Sequence, residues 1–383
     1  MTITSPTPRT EGATTGSTVR AALLTGTAAA RFELGEITTS PLQAGEVLVQ
    51  VEAVGLCHSD WTVASTDYGL PLPALLGHEL AGVVLEVGDG VRGVAVGDHV
   101  VGCGLPACGQ CQNCLEARPS FCTRQELTQR SEDSAPRLAT TAGDAVWQMM
   151  GIGGFAERTV VHHSELVTVD PRVPFDRAAL LGCAIATGGG TVIRTAKVGP
   201  RESVVVFGAG GVGLNVAQAA RLVGARRIIV VDVQDDKLEL ARKFGATDVV
   251  NARETDPVEE VARITGGLGV EHVFEVTGLP GPLEQGYRMR AIDGNLHIVG
   301  MQKPGATFEL PTWDVQAGGS VRAVFLGTTN PKVDIPYYAD MYLQGRLNID
   351  DLVGRRVRLE DIDEEYARVL SGGSVARSVV VFD

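Results

Sequence analysis

The chain has no apolar run long enough to cross a bilayer, so a spanning helix is not expected. Its first twenty residues are rich in Thr and Ser and lack an apolar signal-peptide core. With Glu11 present and few arginines, they do not suit a transit peptide either, and residues 1–19 are expected to be a flexible tail. Positive charge is scarce: 33 Lys and Arg face 46 Asp and Glu, a net charge of −13. That balance argues against nucleic acid or an anionic membrane as partner. Cysteines are few and odd in number, seven, and they do not form a disulfide-type framework. Four are bunched, which with no secretion signal suggests metal thiolates in a reducing, cytoplasmic setting. Repeats and long linkers are missing too. What is present is enough apolar content, 44% of 383 residues, to build the cores of two ordinary domains.

The most informative stretch runs from Val204 to Asp232. Val204 to Phe207 is a short apolar run, as in a buried parallel strand. Gly208, Gly210 and Gly213 follow in G-x-G-x-x-G spacing, with Gly211 and Val212 inside the same turn. From Val212 to Val223 apolar residues recur at helical intervals, and Gly224 can end that helix. Arg227 to Val231 reads as a second strand closed by Asp232, nineteen residues past Gly213. In this pattern Gly208 makes the tight turn, Gly210 admits a pyrophosphate close to the backbone, and Gly213 lets the helix pack tightly. The helix start offers free N–H groups to phosphate. Asp232 can accept hydrogen bonds from a ribose and repels a 2′-phosphate, so NAD is expected rather than NADP. A glycine triplet alone could be an ordinary turn; the two strands, helix and acid in register make it a dinucleotide signature.

Before this stretch the text is strand-like. Leu48 to Gly55 and Ala81 to Gly88 carry β-branched runs ended by glycine, which suggests a β-rich domain of short strands. Within it, GLCHSDW holds Cys57, His58, Ser59 and Asp60, and GHE places His78 and Glu79 beyond. Alone, these could be a buried thiol and a surface histidine. Cys183, in LLGCAIATGG, supplies a second sulfur; a Cys, a His and a Cys give zinc three protein ligands and one open position, the arrangement known from alcohol dehydrogenase. The bunch Cys108-x2-Cys111-x2-Cys114-x7-Cys122 suits a closed tetrahedral zinc site. Disulfides are the plain alternative, though cysteines at three-residue steps pair poorly, and an iron–sulfur cluster is another. Cys103 fits no ligand pattern. Gln125 to Trp147 is polar and reads as a long surface loop with room for one helical turn, of the kind that forms lids or pocket walls. Trp147, Met149 and Met150 at its end read as core packing or as a pocket wall.

After Asp232 strands and helices alternate: a helix over 236–244 ended by Gly245, a strand over 248–250, a helix over 257–265 with Pro257 in its first turn, a strand over 272–276, a helix over 282–291, and strands over 295–299 and 321–326. This is the pattern of an α/β, doubly wound parallel sheet. Ser378 to Phe382 reads as a strand returning to the first domain.

With these motifs in order and at these spacings, the chain resembles the zinc-dependent medium-chain alcohol dehydrogenases, in their longer class I/III-like form, from about residue 19 onward. The resemblance implies a GroES-like β-rich catalytic domain, 20–184 with 328–383, and a Rossmann domain, 185–327. It implies two zinc ions per chain, NAD, a small alcohol or aldehyde as partner, and a homodimer or tetramer. It assigns catalytic zinc to Cys57, His78 and Cys183 with Glu79 behind, and structural zinc to Cys108, Cys111, Cys114 and Cys122. Asp60 would orient His78, and Ser59 would take the alcohol proton. His58, Thr187 and Arg377 would face the cofactor, and Asp232 and Lys237 its adenosine ribose. Gly104, Met149 and Met150 match substrate-pocket positions. The implied reaction is reversible hydride transfer between a primary or aryl alcohol and NAD, with zinc acidifying the alcohol oxygen.

Three departures stand out. Thr62 occupies the place of a proton-relay histidine. Gly104 replaces a bulky pocket residue, which suggests room for a bulky or aromatic substrate. Glu126 stands where the glutathione-dependent formaldehyde-oxidising branch has an arginine, although Arg124 is close. Permanently bound nicotinamide and a specialised carbonyl or iminium reductase remain open within this class. A non-catalytic NAD sensor is disfavoured by the complete ligand set, and a zinc-ribbon binding module by the acidic charge.

Overall fold

The computed structural model describes residues 16–27, 31–316, 318–373 and 375–382. Of the expected tail, residues 1–15 lie outside the described residues, and Thr18 already opens a strand, Thr18–Leu24. The chain divides into two units. One takes the described residues up to Cys183 together with Asn330–Gly345 and those from Ile349 on; the other takes Ala184–Thr329 with Arg346–Asn348. Among the described residues, no single helix is long and apolar enough to cross a membrane.

The first unit is β-rich. Its larger sheet runs in the order Leu166–Thr168, His99–Gly102, Glu79–Val87, Glu46–Gly55, Arg377–Val381, Val353–Val357, and Arg158–His162 also pairs with Glu46–Gly55. The C-terminal strand therefore does return to this unit, antiparallel beside Gly55. A second sheet joins Leu138–Thr140, Phe32–Thr39, Thr18–Leu24, Ala74–Leu75 and Trp147–Gln148. The core between these elements is built from the inward residues of the strands, such as Ile37, Val49, Val51, Leu75, Leu80 and Phe155, all fully buried.

The second unit is a parallel sheet in the order Asp248–Asn251, Arg227–Asp232, Ser203–Phe207, Val270–Glu275, Arg290–Ile298, Ser320–Ala323. Numbered along the chain this is 3-2-1-4-5-6, the Rossmann order, whose ligand crevice lies at the carboxyl ends of the central strands. Ser203–Phe207 is buried throughout, as its unbroken apolar text requires. The helices start and stop where the sequence signals them. Asp256 caps Pro257–Thr265 by accepting from the Val258 and Glu259 N–H groups, and Gly245, at φ +114°, ends Asp235–Phe244. Boundaries shift by a few residues at Pro280–Arg288, Arg290–Ile298 and Ser320–Ala323.

The segment 125–147 is largely exposed, as its polar text suggests, with short strands added to the one helical turn expected. It holds a 3-10 turn, Gln125–Thr128, and the strand Leu138–Thr140 paired with Phe32–Thr39. Trp147–Gln148 pairs in parallel with Ala74–Leu75. Two of its charges, Arg130 and Arg137, turn inward. Arg130 grips the buried Glu46 with two nitrogens, at 2.8 and 2.5 Å, and Arg137 reaches the same carboxylate at 2.8 Å. Burial works to raise the Glu46 carboxyl, but the Arg130 and Arg137 hydrogen bonds win and hold it down at about 2.

Candidate active site

Four donor groups converge inside the first unit. Cys57, His78, Glu79 and Cys183 are buried, and one ligand atom from each lies within 4.8 Å of the others. Local features bring them together. Cys57 is the N-cap residue of the helix His58–Ser65. His78 and Glu79 follow a turn at Gly77, whose φ of +87° favours glycine. Glu79 opens its strand opposite Gly55, where a Cβ would stand 2.2 Å from the Glu79 carboxylate, so only glycine leaves room for that acid. Cys183 follows Gly182, which presses so closely on the Gly102 carbonyl that a Cβ would come within 1.9 Å.

The electrostatics of this cluster suit a cation. The Cys183 contact pulls the Cys57 thiol well below its ordinary value, helped by the Arg377 and His78 charges. The same contact, together with burial, pushes Cys183 well up, so the two sulfurs cannot both ionise without a counter-charge between them. Asp60, fully buried, takes a hydrogen bond from His78 Nδ1 at 3.1 Å and another from the Gly77 N–H at 2.8 Å. That leaves His78 Nε2 facing the sulfurs, 3.3 Å from Cys183 Sγ. Glu79 Oε2 is buried with no hydrogen-bond partner. Two thiols, an imidazole nitrogen and an orphaned carboxylate oxygen form a donor set that a zinc ion fits.

Arg377, which the resemblance assigns to the cofactor, lies beside Glu79. Its guanidinium donates to Glu79 Oε1 at 2.5 Å and is almost enclosed. Burial pushes Glu79 up to about 7 against the pull of this arginine. Ser59 is half-buried on the first turn of the same helix, and His58 is exposed beside it. The Thr62 hydroxyl is turned back into the helix, donating to the His58 carbonyl at 3.0 Å.

The second donor cluster is the cysteine lobe. The ligand atoms of Cys108, Cys111, Cys114 and Cys122 also lie within 4.8 Å of one another. Cys108 and Cys114 sulfurs are 4.0 Å apart and those of Cys111 and Cys122 3.9 Å, far beyond a disulfide. Four sulfurs about 2.3 Å from a tetrahedral zinc would be spaced about 3.8 Å. Backbone N–H groups already point at the sulfurs: Cys111 N–H at Cys108 (3.3 Å) and Cys108 N–H at Cys122 (3.4 Å). Cys103 lies apart, fully buried, and burial pushes its thiol up to about 12.

In the second unit, Gly208 takes φ +100° at the end of its strand. A Cβ on Gly213 would stand 1.8 Å from the Gly208 carbonyl, while one on Gly210 would meet nothing within 4 Å. The turn is thus closed on one side and open on the other. The first intrahelical bond runs from the Leu214 N–H to the Gly210 carbonyl, which leaves the N–H groups of Gly211, Val212 and Gly213 without a helical partner. Asp232 is tied to this turn: one carboxylate oxygen accepts from the Ala209 N–H at 2.7 Å, the other from Val233 and Gln234. Lys237 is half-buried on the next helix, and the Thr187 hydroxyl is buried with no partner.

The pocket residues need one correction. Gly104 does not open free space: a Cβ there would be 2.7 Å from Met150 Sδ and 2.8 Å from Met150 Cβ. Met150 takes a left-handed backbone, φ +53°, and its flexible thioether fills the gap, while Met149 is buried in the core. The residues that sequence reasoning missed are Glu46, Arg130 and Arg137, and Tyr366, whose hydroxyl reaches the Cys57 carbonyl. No periodicity or motif marks any of them.

Comparison with known proteins agrees with this arrangement. Residues 43–171 match the model of the alcohol dehydrogenase GroES-like domain, and 211–341 that of the zinc-binding dehydrogenases. S-(hydroxymethyl)glutathione dehydrogenase of Paracoccus denitrificans is 34% identical over 365 residues, 92% of this chain and 96% of the relative. Alcohol dehydrogenase class-3 of Cereibacter sphaeroides is 35% identical over 364 residues, with the same shares covered. Among solved structures, benzyl alcohol dehydrogenase from Acinetobacter calcoaceticus superposes with a TM-score of 0.87 at 34% identity, covering 96% of this chain and 100% of that one. An alcohol dehydrogenase zinc-binding domain protein from Burkholderia ambifaria gives 0.90 at 34% identity, covering 96% and 99%. The chain belongs to the zinc-dependent alcohol dehydrogenase family, and it is an oxidoreductase of that class.

Proposed function

We propose that this enzyme interconverts primary or aryl alcohols and their aldehydes with NAD, and that it holds two zinc ions per chain. The observation that carries the reading is the buried convergence of Cys57, His78 and Cys183, with Asp60 fixing the imidazole so that Nε2 is free to ligate. When bound, zinc supplies the charge that acidifies an alcohol oxygen or polarises a carbonyl, and the nicotinamide takes or gives the hydride. The chain's own groups do the rest. Ser59, on the helix that begins at Cys57, accepts the alcohol proton. Its onward route does not run through Thr62, whose hydroxyl is committed to the His58 carbonyl. Arg377 holds the Glu79 carboxylate at the back of the site, where it can serve as an exchange ligand. In the second unit Gly208, Gly210, Gly211, Val212 and Gly213 cradle the pyrophosphate, and Asp232 selects the unphosphorylated ribose, with Lys237 beside it. Thr187, with its unpaired hydroxyl, faces the nicotinamide.

For the substrate, Met150 is the adjustable wall beside Gly104, which favours a planar apolar group over a charged one. A glutathione adduct is the second reading, since several relatives carry that name. Against it, the nearby Arg124 is already paired with Glu126, 2.5 Å away, in place of a free cation. The free cysteines suit a cytoplasmic enzyme, and we expect a homodimer or tetramer.

The test is reduced-nicotinamide absorbance across primary, benzylic and secondary alcohols, with S-(hydroxymethyl)glutathione alongside, each with and without added NAD. Growth of the band with benzylic alcohols only when NAD is added supports the proposal. A band present in the purified protein and discharged by aldehyde would instead mean permanently bound cofactor. Metal analysis should give two zinc ions per chain, and Cys57→Ser or Cys183→Ser should lose one of them with all turnover. Near-native activity in either variant would sink the site.

A further inference from the structure

The helix His58–Ser65 carries Ser59 and Asp60 and begins at Cys57, yet it is poorly made to hold its own start. It is eight residues long, has no side-chain cap bond, and its N-cap side chain is a thiol committed to the donor cluster. A side-chain cap normally steadies a helix start, and short helices are marginal without help from outside. That help comes from the last elements of the chain. The Tyr366 ring, 1% exposed, sits between Phe32 and Trp61, with centroids 5.8 and 5.4 Å away. Its hydroxyl donates to the Cys57 carbonyl at 3.3 Å. One residue earlier, the Leu56 N–H donates to the Ser378 carbonyl at 2.9 Å. Ser378 is held in turn: its hydroxyl donates to the buried Glu365, which also accepts from Arg368. Tyr366 and Glu365 are neighbours on the helix Ile362–Leu370, so one short element grips both sides of the first turn of the site.

We propose that Tyr366 is a positioning residue for the metal centre: its hydroxyl and ring fix the Cys57 carbonyl and Trp61, and thereby the angle at which Cys57 and Ser59 enter the site. Phe at this position would fill the same slot and keep the ring contacts. Of Tyr366 only the hydroxyl reaches the backbone of Cys57, 309 residues away in sequence, whose carbonyl otherwise accepts the Asp60 N–H at 3.2 Å. This rests on the assignment of zinc to Cys57, His78 and Cys183.

The experiment compares wild type with Tyr366→Phe in the zinc-loaded protein, following release of each ion to a chromophoric chelator together with kcat and KM. The expected result is that one of the two ions leaves about tenfold faster, the size seen when partners behind a metal ligand are removed. The other ion should leave at the native rate, and kcat should fall with KM little changed. Trp61→Phe, which trims the same contact from the other side, should move release in the same direction by less. Native release of both ions with native kcat overturns the proposal. So does a general loosening, in which both ions leave faster and the melting temperature drops. Failure of the underlying metal reading would look different: wild type itself would hold no ion that Cys57→Ser removes.

Discussion

Single residues in this protein are chosen by what they touch at close range. Gly55 and Gly182 are glycine because a Cβ would collide with the Glu79 carboxylate and the Gly102 carbonyl. Gly213 is glycine because the Gly208 carbonyl lies where its Cβ would be. Asp232 does two jobs, bracing the Ala209 N–H of the glycine turn and presenting charge to a ribose. Asp232→Asn keeps an acceptor for that N–H and removes the charge, so the turn should survive while selectivity falls. The expected outcome is a drop of about tenfold in the preference for NAD over NADP, roughly the worth of one hydrogen bond to a charged group, read as the ratio of the two kcat/KM values. An unchanged ratio would show that Asp232 does not set cofactor choice. Gly104 is the residue whose meaning changed most. A missing side chain in the text reads as space, and only the fold reveals that Met150 has moved in.

Among the elements, the segment 125–147 holds contacts its text does not announce. Most of it faces water, but Arg130 and Arg137 turn inward to a buried triad with Glu46; Glu46 is 2% exposed and the two arginines 8% and 10%. The triad clamps the segment onto the strand Glu46–Gly55. Glu46→Gln should therefore cost about 3–5 kcal/mol, since it leaves two buried cations uncompensated. Denaturant melts would measure the loss, and protease nicking should begin within 125–147. The pH dependence follows from the same contact. With its folded value near 2 against 4.5 for the free acid, Glu46 contributes about 3 kcal/mol. That contribution is complete above about pH 4.5 and is lost as pH falls toward 2. If Glu46→Gln and wild type lost stability in parallel across that window, the clamp would be refuted. The start of the helix His58–Ser65 is likewise held from a distance, by Tyr366 and Ser378.

Across the whole chain, buried histidines set a second acid limit. His272 and His297 lie on adjacent strands of the parallel sheet, Nδ1 to Nε2 at 3.2 Å, with His297 stacked on Phe274. Burial first, then the neighbouring His272 and Arg322, hold His297 down at about 3. The unfolded chain binds that proton near 6.5, so this residue's contribution is intact above 6.5 and declines as pH falls toward 3. By pH 5 the loss is about 2 kcal/mol. His297→Gln should flatten the difference in melting temperature between pH 7 and pH 5. An identical slope in wild type and variant would show that another group governs this limb.

The dinucleotide turn, both donor clusters, the order of strands and helices in the Rossmann unit, and the family were all legible in the text. Each depends on residues close in sequence or on residue types that little else explains: glycines at fixed offsets, cysteines at three-residue steps, apolar runs of a set period. The packing of Met150 against Gly104, the grip of Arg377 on Glu79, the Glu46 triad and the reach of Tyr366 to Cys57 were decided by the tertiary structure. These contacts join residues 46 to 309 positions apart, whose types, an arginine, a tyrosine, a glutamate or a methionine, name no partner by themselves. Local spacing carries no record of which distant side chain fills a gap or answers a charge. That choice is made only when the strands pair and the buried groups must find partners.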